Sequence, residues 1–311
     1  MTEPILFRRS DLTALGVARP DRDGTAGMNR VRRGVYAPPG SIGAALDERY
    51  LRLVHASSRT LTGDTIYSLE SAAAALCVPI LGAWPTKVHL IAERRSGGRS
   101  QLDVVRHCIG LEHVSTVVVD GLVVTSPART AFDFALSRPF ADAVVVMDAV
   151  LRLYPESANE IAALAEAYGT RRGHARLRRV IAFADGRSGS IGESWSRLEM
   201  DRLGFAEPDL QVKVTTDERD EFGDFGWRVH RILGEFDGEV KYRSDRYRMG
   251  GSVEDVVIRE KNRENRMRVA YPSIGRWDWA DLRAGRLERT LVRAGVPRVR
   301  AVRPPAAYSA R

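Results

Sequence analysis

The stretch from Asp224 to Lys241, DFGWRVHRILGEFDGEVK, most constrains what this chain can fold into. It reads as two short apolar strands, and the second, Ile232 to Asp237, carries acids within an otherwise hydrophobic run. Successive side chains of a strand point to opposite faces, so Leu233, Glu235 and Asp237 share one face and Phe236 lies on the other. With Asp224 at the end of a neighbouring antiparallel strand, three carboxylates converge on one patch. Crowded carboxylates repel unless a cation neutralises them or one takes a proton. Hard oxygen ligands of this kind suit Mg²⁺ or Mn²⁺. The competing reading is that the acids are solvated residues on the open face of an antiparallel sheet.

A strand-end Asp224, Glu235 within GEFDG and a following Lys241 resemble the PD-(D/E)XK nuclease superfamily, and more narrowly its branch related to very-short-patch repair endonucleases. The resemblance implies a C-terminal restriction-endonuclease-like α/β/α domain with a mixed sheet and metal-assisted hydrolysis of phosphodiester bonds. Asp224 and Glu235 are then the Mg²⁺ (or Mn²⁺) ligands, Asp237 or Glu193 completes the shell, and Lys241 orients the attacking water. One position departs from the pattern. The second motif is usually Glu, any residue, Lys, and here Asp237 holds the Lys slot. Lys241 lies four residues further on, roughly 13 Å along an extended strand, and reaches the site only if Gly238 bends the chain.

Two readings are open for Glu193. In Ser190-Ile191-Gly192-Glu193 it completes an S-x-x-E capping box at a helix start; in the resembled superfamily the first helix brings a Glu to the metal. That helix runs towards Leu203 and ends at Gly204. Leu210 to Val214 alternates as a strand beside that of Asp224, with Gln211 as a candidate to line the approach. Ser252 caps a long helix over Val253 to Val269, and its EKxRE phrase resembles the helix after the catalytic strand in these nucleases. The resemblance points to Lys261 and Arg263 as contacts to phosphate or as positioners of the acids; an exposed helix laced with opposite charges is the alternative. Tyr271 to Trp279 is a last strand with Trp277 and Trp279 in the core. Asp281 to Ala294 is a closing helix, and the Arg/Pro-rich tail after Pro297 is expected to be disordered.

Towards the N-terminus, Ser10 caps a short helix from Asp11 to Leu15, with Gly16 at its stop. Arg30-Val31-Arg32-Arg33-Gly34-Val35-Tyr36-Ala37-Pro38 reads as a basic β-hairpin, and its RRGVY phrase resembles the wing of the winged-helix domain of AbiEi-type antitoxins. The resemblance gives DNA phosphates to Arg30, Arg32 and Arg33; a solvated hairpin used for packing is the alternative. Ala44 to His55 and Tyr67 to Leu76 have helical spacing. Val88 to Ile91 and Val104 to His107 are strands around a Ser/Gly-rich turn, and Val117 to Val124 is a hairpin turning at Asp120-Gly121. Ser126 and Pro127 then open a helix. This order, ending in TSPARTAFDFA, is similar to the C-terminal part of AbiEi-like antitoxins. His89, His107 and His113 lack metal-ligand spacing and a carboxylate in register, and read as structural. Helices follow to Phe183, the last one rich in arginine, and Ala184 to Ser190 has the composition of a linker.

A length of 311 residues suits two or three domains. The expected division is a winged helix over 1–66, an α/β middle domain with a helical connector over 67–185, the nuclease-like domain over 186–285 and a basic tail over 286–311. The net charge of +8 favours a polyanionic partner. DNA is the partner expected, with a toxin protein as a further one that no residue identifies. Two cysteines are too few for a disulfide framework. The absence of a long apolar run and of a charged-then-apolar leader leads to the expectation of a cytoplasmic protein without a membrane span. A non-catalytic DNA-binding regulator or antitoxin, with a nuclease fold that has lost its chemistry, is the alternative to an endonuclease.

Overall fold

The computed structural model describes residues 4–14, 28–39, 45–92, 103–107, 114–238 and 253–303, with backbone alone over 253–260. It is a mixed α/β protein that divides into two compact units, Met1–Ser137 with Leu153–Arg179 and Arg138–Arg152 with Val180–Arg311. Among the described residues no helix is long and apolar enough to cross a membrane.

The first unit opens with β1 (Phe7–Arg8), α1 (Arg9–Ala14), β2 (Asn29–Arg32) and β3 (Val35–Ala37), in an antiparallel sheet ordered β1-β3-β2. The basic hairpin forms as expected, turning through Arg33 and Gly34, where a φ of +83° suits only glycine well. Helix α1 starts at Arg9, and the Asp11 carboxylate, not Ser10, accepts the Arg8 N–H at 2.7 Å. Gly16 lies outside the described residues.

Next come α2 (Leu46–Ser58), β4 (Ile66–Tyr67), α3 (Leu69–Ala75), β5 (Val88–Ile91), β6 (Val104–His107), β7 (Thr116–Val119) and β8 (Leu122–Thr125). The strands form a five-stranded mixed sheet ordered β6-β5-β4-β8-β7. Two expectations are corrected here. Tyr67 belongs to a central strand and not to a helix, because its ring is buried and its backbone pairs with Leu90 and Val124. Strands β5 and β6 run parallel, so they are not the arms of one hairpin. The β7–β8 hairpin does turn at Asp120-Gly121, with φ of +44° and +76°, as a two-residue turn of primed type demands. Helix α4 (Pro127–Ser137) follows, and Ser126 Oγ accepts the Arg129 N–H at 3.1 Å. Helices α5 (Phe140–Leu153), α6 (Ser157–Tyr168) and α7 (His174–Phe183) complete the middle of the chain.

The second unit holds α8 (Ile191–Leu203), β9 (Asp209–Thr215), β10 (Asp220–Trp227), β11 (Ile232–Asp237), α9 (Val253–Ala270), β12 (Ser273–Asp278), α10 (Trp279–Arg283) and α11 (Leu287–Ala294). Its sheet is ordered β12-β11-β10-β9. Strands β9, β10 and β11 are antiparallel, and β12 lies parallel to β11 after the intervening helix α9. Phe225, Ile232, Phe236 and Trp277 pack on one face against Met200 and Leu203 of α8 and Leu287 and Leu291 of α11. Val212, Val214 and Leu233 pack on the other face against Met267 of α9. Leu233 and Phe236 thus take the opposite faces that strand periodicity assigns them.

Most of α5 belongs to this unit. Its buried Asp148 accepts from the Asp185 N–H at 2.7 Å, from Ser194 Oγ at 2.7 Å and from Arg197 Nη1 at 2.9 Å. Burial pushes the Asp148 carboxyl up to about 6, although Arg197 and the hydrogen bonds act against it. Residues 184–190, linker-like in composition, are anchored to the unit by Ser188, which is buried and bonds Ser194. Contrary to expectation, residues 298–303 of the tail after Pro297 are held against the end of α8. Val299 N donates to Gly204 O at 2.9 Å, Arg303 N to Arg202 O at 2.7 Å, and Arg300 and Arg303 both meet Asp201. The closing helix is two helices, α10 and α11, separated at Gly285 with φ +67°. Trp279 starts α10 and does not end the strand.

The seam between α8 and β11 is tight at Gly192, where an added Cβ would penetrate the Phe236 ring. Gly192→Ala is therefore expected to destabilise the protein by roughly 1–3 kcal/mol through overpacking. The check is a lowered urea midpoint with an unchanged slope.

Candidate functional site

The acidic stretch sits where the pairing of β9 with β10 is interrupted. The register passes from Gly223↔Val212 to Phe225↔Leu210, which leaves Gln211 across from Asp224 without a ladder pair. Gln211 has a φ of +49°, and the alternation slips there: Leu210 packs with Phe225 on one face while Val212 packs with Leu233 on the other. Pairing of β10 with β11 extends from Trp227↔Ile232 to Phe225↔Gly234, and beyond it the Asp224 Oδ2 accepts the Phe236 N–H at 2.8 Å. A carboxylate thus stands in for a backbone carbonyl.

Glu235 is buried on the α9 face of the sheet, and its charge is met by arginine on two sides. Arg263 of α9 grips it with both nitrogens, Nη1 to Oε2 at 3.0 Å and Nη2 to Oε1 at 2.9 Å. Arg276, its partner in the parallel register with β12, places Nη2 3.2 Å from Oε2. The same Arg276 sets Nη1 3.7 Å from Asp237 Oδ1. Forked Arg–carboxylate pairs of this kind are among the stronger charge-assisted contacts. Burial still wins over both arginines and lifts the Glu235 carboxyl above its usual range, and the nearby Asp224 charge adds to the lift. One turn along α9, the balance reverses at Glu221. Burial raises it, but Arg219 at 2.8 Å and Arg266 at 2.6 Å together hold it below its usual range.

The geometry around Glu193 is that of a helix cap. Its N–H donates to Ser190 Oγ at 3.1 Å, so Ser190 caps α8. Its carboxylate accepts from Ser190 Oγ at 2.9 Å, from Gly189 N at 2.8 Å and from Gln211 Nε2 at 3.0 Å. The Gln211 bond carries it to the residue opposite Asp224. Asp224 and Glu235 are near enough for their charges to interact, Glu193 reaches no further than Gln211, and Asp237 shares Arg276 with Glu235. Lys241 lies outside the described residues. Lys261 is exposed, and Arg263 neutralises an acid.

The expected metal ligands do not fit Mg²⁺ or Mn²⁺ in this arrangement. Mg²⁺ needs oxygens in near-octahedral geometry at about 2.0–2.1 Å. Here both Glu235 oxygens carry a guanidinium, Asp224 Oδ2 carries an amide, and the Glu193 carboxylate accepts three donors. Among the described residues, no group of three His, Cys, Asp or Glu side chains is placed to hold a metal.

In the first unit, Arg30 and Arg33 are exposed on the hairpin, whereas Arg32 is 91% covered and its Nη2 lies 2.6 Å from Asp103 Oδ2. Arg32 is thus withdrawn from any long polyanion passing over the hairpin. His89 does have a carboxylate beside it, contrary to the sequence reading: its Nδ1 is 3.3 Å from Glu70 Oε2 and 3.0 Å from His107 Nε2. His113 lies outside the described residues. Sequence reasoning missed Arg276, Glu221 and Glu70. The only signal for Arg276 was its place one residue before Trp277 in the last strand, and that becomes informative once β12 is registered on β11.

No family model matches the chain. Two Mycobacterium tuberculosis proteins, Rv2248 of strain H37Rv and MT2308 of strain CDC 1551, are each 30% identical to it over 259 residues, which is 76% of this chain and 88% of each relative. Among solved structures, the RV2827C protein of M. tuberculosis is 19% identical, with a TM-score of 0.33 over 58% of this chain and 76% of that one.

Truncating Arg263 would strip a buried carboxylate of its forked partner. Arg263→Ala is expected to cost about 3 kcal/mol, read as a fall in the urea unfolding free energy at neutral pH. A pH series on the Glu235→Gln protein tests the raised Glu235 carboxyl. Because its folded value lies above the ordinary 4.5, its contribution is full below that pH and is lost as pH rises through the folded value. Glu235→Gln is expected to remove that downward slope.

Proposed function

We propose for this chain, which belongs to one family with the M. tuberculosis protein Rv2248, that it is a DNA-binding regulator whose second unit keeps a restriction-endonuclease-like architecture without the metal chemistry. The observation that carries this reading is the forked grip of Arg263 on Glu235, reinforced by Arg276. A guanidinium delivers fixed positive charge at the place where a catalytic cation would sit, and it organises the acids without activating a water. A four-stranded mixed sheet between helices, with Asp224 of β10 close to Glu235 of β11, supports the relation to the nuclease fold.

DNA contact in this reading falls to the first unit. The β2–β3 hairpin, read as the wing of a winged helix, exposes Arg30 and Arg33, and the chain as a whole carries +8. Phosphate contacts of this kind position a protein on a duplex without reading its sequence. Autoregulation, or the neutralising of a toxin protein as in the resembled antitoxins, is the biological role consistent with such binding.

A second reading, a Mg²⁺-dependent endonuclease, is favoured by one observation: Asp224 and Glu235 are close enough for the charge of one to lift the carboxyl of the other. Release of Arg263 on substrate binding would be its requirement, with Asp224, Glu235 and Asp237 then available to Mg²⁺ and Lys241 to the water.

Fluorescence anisotropy with a labelled duplex, combined with a cleavage assay in Mg²⁺ and Mn²⁺, separates the two. The regulator reading expects salt-dependent binding and no cleavage. The double variant Arg30→Ala/Arg33→Ala is expected to lower the slope of log affinity against log salt by about 2, near 0.9 for each lost phosphate contact. Metal-dependent cleavage that disappears in Asp224→Ala/Glu235→Ala would overturn the regulator reading in favour of the nuclease.

A further inference from the structure

The first unit contains a cavity of about 980 Å³ whose described walls come from the β2–β3 hairpin, helix α2 and the stretch before β5. That size is at the upper end for small-ligand pockets, roughly 300–1,000 Å³. Its charge is one-sided. Among the described lining residues, Arg30, Arg32 and Arg33 of the hairpin and Arg49 and Arg52 of α2 face one carboxylate, Asp103, which already pairs with Arg32.

Arg32 supplies the second observation. Its side chain is 91% covered and its Nη2 is paired with Asp103, yet Nε and Nη1 are buried without an acceptor. Buried charged donors left unmatched are costly, so an acceptor brought by a ligand gains the full benefit of satisfying them. The third observation is an aromatic ring in the lining of the same cavity. Trp84 lines the cavity, half-buried, and stacks on Tyr50 with ring centroids 5.2 Å apart and planes 24° from parallel. Tyr50 is itself fixed by its hydroxyl, 2.8 Å from Ser71 Oγ and 2.9 Å from Lys87 O. A rigid indole beside a set of arginines matches a ligand with a planar ring at one end and a compact dianion at the other.

We propose that this cavity is a binding site for a phosphate monoester carrying an aromatic base, with Arg32 as the buried phosphate anchor and Trp84 as the stacking platform. Guanidinium forks bind phosphate through two parallel hydrogen bonds, and base–aromatic stacking is indifferent to which base is present. A free mononucleotide and the 5′-phosphorylated end of a nucleic-acid strand share this chemistry. An internal phosphodiester bears one charge and continues in both directions, which a concave pocket does not accommodate. The cavity shares Arg30 and Arg33 with the duplex contacts of the regulator reading, but its anchor Arg32 and its platform Trp84 have no part in them, so the site does not rest on that reading.

Titration calorimetry on the full chain tests it with AMP, inorganic phosphate, and tetrathymidylate with either a 5′-phosphate or a 5′-hydroxyl. AMP is expected to bind saturably, and Arg32→Gln to weaken it about ten-fold or more, the loss of a charge-assisted contact. Trp84→Leu is expected to weaken AMP by a similar factor while leaving inorganic phosphate unchanged. Tighter binding of the 5′-phosphorylated oligomer than of AMP would identify the strand end as the source, and the reverse a free nucleotide. The proposal is overturned if the folded wild-type chain binds neither AMP nor the 5′-phosphorylated oligomer. It is equally overturned if AMP affinity is undiminished in Trp84→Leu. The last criterion stands even if Arg32→Gln fails to fold.

Discussion

A buried carboxylate on a central strand must be neutralised, and in this protein the way Glu235 is neutralised shapes the second unit. Arg263 reaches it from α9 and Arg276 from β12, so one acid fastens the crossover helix and the parallel edge strand to β11. Among the described side chains on that face, Met267 packs against Val212, Val214 and Leu233, with Ala270, Tyr271 and Ile274 beside them. Ion pairs of Glu221 with Arg266 and Arg219 join the same face. Burial of such a pair costs desolvation that its mutual attraction roughly offsets, so its value lies in fixing which helix turn faces which strand.

The opposite face works by a different rule. Phe225, Phe236 and Trp277 form an aromatic layer, with Phe225 and Trp277 stacked at 5.4 Å and Phe236 edge-on to Trp279 at 5.3 Å. Trp277 Nε1 donates to Ser196 Oγ at 2.8 Å, which satisfies the one polar atom of that layer. Gly192 and Gly234 are the gaps that let these rings approach. The sheet is thereby held by size and shape on one side and by charge on the other, and the irregularity at Gln211 and Asp224 lies where the alternation between the two sides slips.

Much of this was legible in local pattern. Period-two alternation placed Leu233, Glu235 and Asp237 opposite Phe236, and Asp120-Gly121 announced its turn, because both signals act between near neighbours in the chain. The partners of the acids were not legible. Arg263 lies 28 residues from Glu235, and the motif by which the acids were recognised implies a cation in their midst without saying whether it is a metal or a guanidinium. Tyr67 looked helical since the alanine-rich run behind it has helical spacing, while its strand pairing depends on β5 and β8. The C-terminal segment looked disordered by composition, yet its backbone pairs with the end of α8 and its arginines find Asp201. In each failure a contact between distant segments outweighed a local tendency.

The placement of α5 in the second unit has a consequence for how the chain comes off the ribosome. Asp148 emerges 49 residues ahead of Arg197, and between them the chain delivers 153–179, which belongs to the other unit. Until Arg197 and Ser194 have been synthesised, Asp148 has no partner that justifies burying it, and the apolar face of α5 must wait exposed or held by a chaperone. Vectorial synthesis therefore cannot finish one unit before the other has begun. A fragment cut at residue 186 would carry Arg197 without its carboxylate, so a piece that satisfies this charge has to begin ahead of α5.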